Sequence, residues 1–196
     1  MKTKRYTITP ASFRPRKPED LIGHARKVAS ALVAKAHRVR LLGGGPMKVL
    51  LYGPPGVGKT SVADMVAMAL CDEQALAIED FNGREITLDS VRRWMDSLAY
   101  HGLFGGYEVR VVNELDRASK ESQDLLLTYL DKLRPGRAFI GTSNLQLDLL
   151  TERFQTRFQA WKIAAPDADE IALGCGGCVR AALADLESAY DMGAVA

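Results

Sequence analysis

Eight residues between an apolar run and an amphipathic run set the strongest limits on the fold of this chain. They follow the pattern G-x-x-x-x-G-K-[ST] and are Gly53, Pro54, Pro55, Gly56, Val57, Gly58, Lys59 and Thr60. Residues 48–52 before them predict a short buried strand, and residues 61–70 after them predict a helix with one apolar stripe. A strand, a glycine loop and a helix in this order form the context in which the pattern binds phosphate.

The chemistry of such a phosphate loop (residues 53–60) is recognition of an anion. Its glycines let backbone N–H groups approach phosphate oxygens, and the N-terminus of the following helix faces the anion. Lys59 is expected to reach the β- and γ-phosphates, Thr60 to hold Mg²⁺, and Ser61 to complete the binding segment. The sequence therefore predicts a protein that binds a nucleoside triphosphate, with ATP and Mg²⁺ as its cofactors.

Composition narrows the class of protein further. A hydrophobic fraction of 47% suits a filled core, and no apolar run approaches the roughly 18 residues of a membrane span. The N-terminal residues lead into no apolar run, so a signal peptide is not expected. Three cysteines, an odd number, argue against a disulfide framework and favour a reducing cytoplasm.

The charge of the chain is unevenly distributed. Residues 1–40 hold 11 Lys or Arg residues against two acids, although the net charge of the whole chain is only +2. A basic segment of this kind suits DNA or an acidic partner. A solvated basic face is an equally good interpretation, and the sequence leaves these alternatives open.

The alternation of strands and helices indicates an α/β fold with a five-stranded parallel sheet covered by helices on both faces. We predict a basic extended arm over residues 1–19, a nucleotide-binding domain over 20–165 and a small C-terminal piece over 166–196. After the first strand, further strands are predicted over 75–81, 107–112, 138–142 and 161–163. Helices are predicted over 20–42, 89–100 with Asp89 as cap, 119–133 with Ser119 as cap, and 179–190.

Polar residues follow the predicted strands at the edge where ligands bind in parallel sheets. Glu114 ends one strand and is the candidate that polarises the water attacking the γ-phosphate. Asn144 ends the next strand, where its amide is expected to hydrogen-bond the γ-phosphate and the water. Arg153 and Arg157 follow, and an arginine offered to a neighbour's phosphate stabilises transition-state charge.

Five further segments have a recognisable order around these residues: Phe13-Arg14-Pro15 with Asp20-Leu21-Ile22-Gly23, Asn82-Gly83-Arg84 with Val91-Arg92, Glu114-Leu115-Asp116-Arg117-Ala118-Ser119, Thr156-Arg157-Phe158, and Gly177-Cys178-Val179-Arg180-Ala181-Ala182-Leu183. With the phosphate loop, they resemble the motifs of the AAA+ ATPases. The similarity is to the clamp-loader group in particular, which includes replication factor C small subunits and the bacterial DNA polymerase III gamma and delta-prime subunits.

The resemblance implies roles for individual residues. Ile22 would line the adenine pocket, Asn144 would be the sensor 1 residue, and Arg180 would be the sensor 2 residue. Arg157 would act on ATP bound by the adjacent subunit. The resemblance therefore implies a ring or spiral of identical subunits, or an assembly with a related AAA+ subunit, and a helical lid at the C-terminus.

Three departures from the family pattern modify this expectation. Asn113 stands where the family has the Walker B aspartate that helps to hold Mg²⁺, and a carboxamide offers the metal no negative charge. The stretch from Pro166 to Ala196 is short for the lid, so one or two lid helices are expected to be missing. No collar domain follows it, so the chain is not expected to be a complete conventional clamp-loader subunit.

Three functional hypotheses follow. The first is an oligomeric ATPase acting in DNA replication, recombination or mobile-element maintenance, and the second is a nucleotide-gated scaffold with little hydrolysis because of Asn113. The third is a protein-remodelling AAA+ ATPase, against which the basic N-terminal region argues mildly. Cys175 and Cys178 form a lone C-x-x-C, for which zinc or redox chemistry is the alternative to a glycine-rich loop with incidental thiols.

Overall fold

The strands of a single sheet are distributed over residues 47–162. The computed structural model describes residues 15–72, 75–99, 107–144 and 152–166. In chain order its strands are β1 (Met47–Tyr52), β2 (Ile78–Asn82), β3 (Glu108–Asn113), β4 (Arg137–Ser143) and β5 (Gln159–Lys162). They form one sheet in the spatial order β2-β3-β4-β1-β5, and every neighbouring pair is parallel. The predicted α/β class and the five-stranded parallel sheet are confirmed.

Helices cover both faces of this sheet. They are α1 (Gly23–Leu41), α2 (Lys59–Leu70), α3 (Leu88–Ser97), α4 (Lys120–Asp131) and the short α5 (Glu152–Gln155). One core contains the buried sides of α1 and α2, and the other contains those of α3 and α4. Successive side chains of a strand point to opposite faces, so Val49 and Leu51 of β1 join the first core while Leu50 joins the second. Burial on both faces explains the consecutive apolar residues 49–51 of β1 and 138–140 of β4.

A charged residue, Arg110 of β3, lies inside the second core with only 6% of its surface exposed. Its guanidinium donates to Glu79 Oε2 at 2.7 Å, to the Tyr129 hydroxyl at 2.6 Å and to Ser97 Oγ at 3.1 Å. It also lies 5.4 Å from the ring centre of Trp94. A buried cation is tolerated only when its donors are satisfied, and here three elements supply the acceptors.

Several predicted boundaries were wrong by a few residues. Residues Ala75–Ala77 form a 3₁₀ turn, and the strand begins only at Ile78. The predicted first helix begins at Gly23 because Pro18–Asp20 form a separate 3₁₀ turn, in which the Asp20 carboxylate accepts from the backbone N–H of Arg16 and Lys17. The turn also interrupts the predicted extended arm, of which only residues 15–19 are described.

The predicted cap of α3 was also wrong, whereas that of α4 is confirmed. The Thr87 hydroxyl accepts from the Ser90 N–H at 3.1 Å and is the N-cap of α3, while Asp89 lies inside the first turn and pairs with Arg92. Ser119 caps α4 by accepting from the Ser122 N–H. The C-terminal piece, with the predicted last helix, lies outside the described residues except for Pro166. Within the described ranges, no helix combines the length and apolarity needed to cross a membrane.

Candidate functional site

The phosphate loop connects β1 to α2 at the carboxyl edge of the sheet. Gly53 has a φ of 150°, and a Cβ added there would lie 2.1 Å from the carbonyl oxygen of Ile163. Gly56 and Gly58 have φ values of 77° and 93°, in the left-handed region that favours glycine. Gly58 is the N-cap residue of α2. The loop thus needs glycine at all three positions, and it ends at the N-terminus of a helix of 12 residues.

Lys59 lies within the loop rather than in solvent. Its side chain is buried, and Nζ donates to the carbonyl oxygens of Gly53 at 2.9 Å and Pro54 at 2.5 Å. The ammonium group is therefore held on the loop, between its backbone and the helix terminus. This is the place from which a lysine contacts the phosphates of a bound nucleotide.

A polar network joins the loop to the end of β3. The Thr60 hydroxyl donates to Asn113 Oδ1 at 3.1 Å, and the Thr142 hydroxyl donates to the same oxygen at 3.2 Å. The other end of the Asn113 amide, Nδ2, donates to Asp80 Oδ1 at 2.9 Å. The two residues predicted to hold the metal, Thr60 and Asn113, are thus in direct contact, and β2 adds a carboxylate beside them.

This group of oxygen atoms suits Mg²⁺. The cation prefers oxygen ligands and takes only one or two from protein, with water and phosphate supplying the rest. Thr60 and Asn113 offer neutral oxygens, and the Asp80 carboxylate lies one hydrogen bond further away. Across the described ranges, no cluster of three or more His, Cys, Asp or Glu side chains is placed to hold a metal by itself. A metal here would therefore depend on the phosphates of the nucleotide.

Glu114 sits on a tight turn at the end of β3. Its backbone is left-handed, with φ 54° and ψ 48°, and its N–H donates to the Thr142 hydroxyl at 3.1 Å. The carboxylate pairs with Arg117 at 3.2 Å. The backbone of Gly83 packs so closely that an added Cβ would lie 2.1 Å from the Glu114 carbonyl oxygen. A left-handed non-glycine residue is strained, so neighbouring elements must hold this turn in place.

Asn144 directly follows β4, the strand between β1 and β3. Its backbone N–H donates to Asp116 Oδ1 at 3.2 Å. The residue before it, Ser143, pairs in register with Tyr52, which precedes the phosphate loop. The ends of three neighbouring strands therefore bring Asn113, Glu114 and Asn144 to the edge where the loop lies.

Arg157 lies at a different place, on the turn after α5. Its guanidinium donates three hydrogen bonds of 3.0 to 3.1 Å to the Asp131 carboxylate and one of 2.9 Å to the Arg153 carbonyl. These partners hold the side chain at the surface, with 30% of it exposed. Neither partner belongs to the phosphate loop of the same chain.

Ile22 lies beside the loop but faces outward, with 38% of its surface exposed. The neighbouring Leu21 is buried, and its Cδ2 would lie 3.5 Å from a Cβ added at Gly58. His24 anchors the same segment to the end of β5 by accepting from the Ala164 N–H at 3.3 Å. Arg180, Cys175 and Cys178 lie outside the described residues, so their predicted roles stay predictions.

The pKa values of Asp80, near this edge, and of Cys71, behind it, depart from their ordinary ranges. Partial loss of hydration raises the pKa of Asp80, and the hydrogen bond from Asn113 opposes this. Burial raises the pKa of Cys71, at the C-terminus of α2, to about 11. Its thiol contacts the carbonyl oxygen of Tyr107 at 3.2 Å. Burial and a raised pKa are typical of a cysteine that serves in packing rather than in chemistry.

Asp80 and Thr142 contact the predicted site residues but were not predicted as site residues themselves. Gly83, which packs against Glu114, was named only as part of a family segment. The sequence showed only the alternation of Asp80 and Asn82 along β2, and the register of β2 with β3 in the structure places both on the face of Asn113. Thr142 showed no comparable signal, because a threonine inside an apolar strand is common.

Together, the loop, the parallel sheet and the polar residues at its carboxyl edge define a P-loop domain of the α/β class. Residues 49–162 match the family model described as "ATPase family associated with various cellular activities (AAA)". This match covers more than half of the chain, and the protein belongs to the AAA family. The predicted membership of the AAA+ ATPases is confirmed.

Among curated proteins, the chain is similar to Replication-associated recombination protein A of Bacillus subtilis, with 25% identity over 207 residues. This alignment covers 90% of the chain and 46% of the relative. It is also similar to the Holliday junction branch migration complex subunit RuvB of Parafrankia sp., with 29% identity over 124 residues, 63% of the chain and 32% of the relative. The chain thus spans about a third to a half of the length of these relatives.

Among solved structures, the Thermotoga maritima RuvB Holliday junction branch migration motor has the same fold, with a TM-score of 0.61 at 21% identity. The match covers 81% of this chain and 51% of that chain. These relatives are a recombination protein and branch-migration subunits rather than clamp-loader subunits. The narrower clamp-loader resemblance therefore stays a prediction.

Proposed function

We propose that this protein binds ATP with Mg²⁺ and hydrolyses ATP at the interfaces of an oligomer that acts on DNA in recombination or replication. The contact between Thr60 and Asn113 is the observation that carries the proposal, because it joins the phosphate loop to the strand end that bears Glu114. An NTPase needs these two elements side by side, since one holds the phosphates and the other the attacking water.

Each residue at the edge has a role that its position supports. The loop N–H groups and Lys59 bind the phosphates, and Thr60 and Asn113 hold Mg²⁺, which neutralises phosphate charge when bound. Glu114 accepts a proton from the attacking water, and Asn144 orients that water. Catalysis of this kind rests on positioning and charge stabilisation, so the position of the Glu114 turn matters as much as its carboxylate.

Arg157 is proposed to complete the site of the adjacent subunit. Its surface position supports this role, since its guanidinium is held by residues of α4 and α5 rather than by the loop. A guanidinium that meets a γ-phosphate stabilises the charge of the transition state. ATP would then bind between subunits, which are copies of this chain or a related AAA+ protein.

The proposal of a DNA substrate rests on charge and on the named relatives. Helix α1 exposes Arg26, Lys27 and Arg38, and the segment before it is basic. The printed names of the relatives refer to recombination and to Holliday junctions. Binding through phosphate contacts predicts an affinity that falls steeply with salt. DNA binding that is unchanged between low and high salt would contradict this part.

A steady-state ATPase assay tests the assigned roles. The samples are the wild type, Glu114→Gln and Arg157→Ala, with Arg134→Ala as a matched control that removes another exposed arginine. We expect both test variants to lose at least about 100-fold in turnover, as removal of catalytic groups does in phosphoryl transfer. The control should keep wild-type turnover. Unchanged turnover in both test variants would defeat the assignment.

A nucleotide-gated scaffold with little hydrolysis is the second candidate, and Asn113 is the observation that favours it. A carboxamide in place of the family carboxylate weakens the hold on the metal. Light scattering with and without ATP·Mg²⁺, with released phosphate measured in the same samples, separates the two functions. Assembly with turnover supports the ATPase, whereas assembly without turnover supports the scaffold.

A further inference from the structure

The orientation of the Asn113 amide is determined by its three partners. Thr142 Oγ1 accepts from the Glu114 N–H, so its own hydrogen is free to donate to Asn113 Oδ1. Nδ2 then faces the Asp80 carboxylate, which only accepts. With the amide reversed, its oxygen would face the carboxylate oxygen and lose that bond. Asp80 therefore holds the amide with its oxygen toward Thr60.

The charge of the site follows from the same contact. Position 113 carries a neutral amide. The carboxylate that accepts a hydrogen bond from this amide belongs to Asp80 on the neighbouring strand. In the sheet, Asn113 is directly opposite Asn82. Asp80 lies two residues before Asn82 on the same face of β2, so its contact with Asn113 is a diagonal one between the two strands. Its oxygen atom Oδ1 lies 2.9 Å from Asn113 Nδ2.

We infer that Asp80 is a positioning residue for the metal site, which turns the Asn113 oxygen toward Thr60 and supplies the negative charge that position 113 lacks. This inference rests on the proposed binding of ATP with Mg²⁺. Partners of this kind orient the groups that touch a metal and raise its affinity, and their loss typically costs about 10–100-fold in metal affinity. The Mg²⁺ site of this chain is thus shared between two strands.

The test compares nucleotide affinity in excess Mg²⁺ with affinity in EDTA, using the fluorescence anisotropy of an N-methylanthraniloyl derivative of ATP. The ratio of the two affinities is the Mg²⁺ enhancement, and a merely structural defect would lower both affinities together. Asp80→Asn keeps an acceptor for the amide and removes the charge, whereas Asp80→Ala removes both. We expect the enhancement to fall by about 10-fold in Asp80→Asn and further in Asp80→Ala.

The double variant Asp80→Asn with Asn113→Asp exchanges the two groups and returns the charge to position 113. We expect it to recover at least the wild-type enhancement. Asp89→Asn is the matched control, because it removes an exposed carboxylate that pairs only with Arg92 among its described contacts. It should leave the enhancement unchanged. Thermal unfolding of each variant shows whether it is folded, and Asp80→Ser replaces a variant that is not.

Three results separate the possible failures. An Asp80→Asn enhancement equal to that of Asp89→Asn would overturn the role of Asp80. A folded double variant that stays as weak as Asp80→Asn would also overturn it, because charge would then not be the missing quantity. A wild type that binds no nucleotide in either buffer would instead refute the proposed function itself.

Discussion

The close approach of Gly83 to Glu114 predicts a large effect from one methyl group. In Gly83→Ala, the added Cβ would lie 2.1 Å from the Glu114 carbonyl oxygen and 2.8 Å from its carbonyl carbon. Both contacts are with backbone, so no side chain can rotate away. Because real Cβ contacts stay above 3.0 Å, the turn must move by about 0.9 Å or more. Overpacking of this kind costs about 1–3 kcal/mol in stability.

Displacement of the Glu114 turn should also reduce catalysis. A misplacement of about 1 Å at a catalytic group costs on the order of 100-fold in rate. The phosphate loop is not in contact with Gly83 through any described bond, so nucleotide affinity should change far less. ATP turnover, nucleotide affinity and the melting temperature are measured on the same preparation. We expect a melting temperature lower by about 2–4 °C for each kcal/mol lost.

Gly45→Ala is the matched control for this prediction. A Cβ at Gly45 meets nothing within 4 Å, and its φ is not positive. This variant should therefore match the wild type in all three measurements. A Gly83→Ala protein that turns over ATP and melts as Gly45→Ala does would contradict this prediction.

Three further predictions test the fold and the surface arginine. Replacing Arg110 with Met removes three side-chain hydrogen bonds of a buried cation, so the free energy of unfolding in urea should fall by about 2–3 kcal/mol. A fall of less than about 0.5 kcal/mol would contradict the packing described. Asp131→Asn loosens an exposed ion pair worth up to about 1 kcal/mol, so we expect ATP turnover to fall by about two- to five-fold, less than in Arg157→Ala. Equal losses of turnover in the two variants would contradict a role for Asp131 that is limited to positioning Arg157. With the other two cysteines replaced by serine, Cys71 should react with a disulfide reagent at pH 8 far more slowly in native than in denatured protein, because its pKa of about 11 leaves little thiolate. Equal rates in the two states would contradict its burial.

The main elements of the fold could be predicted from local sequence signals. The phosphate loop and the apolar runs of β1 and β4 specify their own structure, and polar residues after two strands indicated where Glu114 and Asn144 lie. The predicted start of α3 was wrong because two nearby residues can each act as its N-cap. Thr87 and Asp89 are both good cap residues, and only the path of the chain after Gly83–Glu85 decides in favour of Thr87.

Contacts between distant residues could not be predicted in the same way. Asp80 meets Asn113 only because β2 and β3 pair in one particular register, and the sequence shows neither the pairing nor the register. Asp131 and Arg157 are 26 residues apart and meet because the fold brings the turn after α5 against the end of α4. Such contacts depend on tertiary packing, and they are the ones that hold and orient the predicted site residues.

The central claim, a site shared between subunits, is tested most directly by mixing two inactive variants. Lys59→Ala removes the half of the site that binds phosphate, and Arg157→Ala removes the half offered to the neighbour. In a randomly mixed ring, about a quarter of the interfaces combine two intact halves. We predict that the mixture recovers up to about that share of wild-type ATP turnover, although each variant alone is inactive. A mixture as inactive as its components would contradict it.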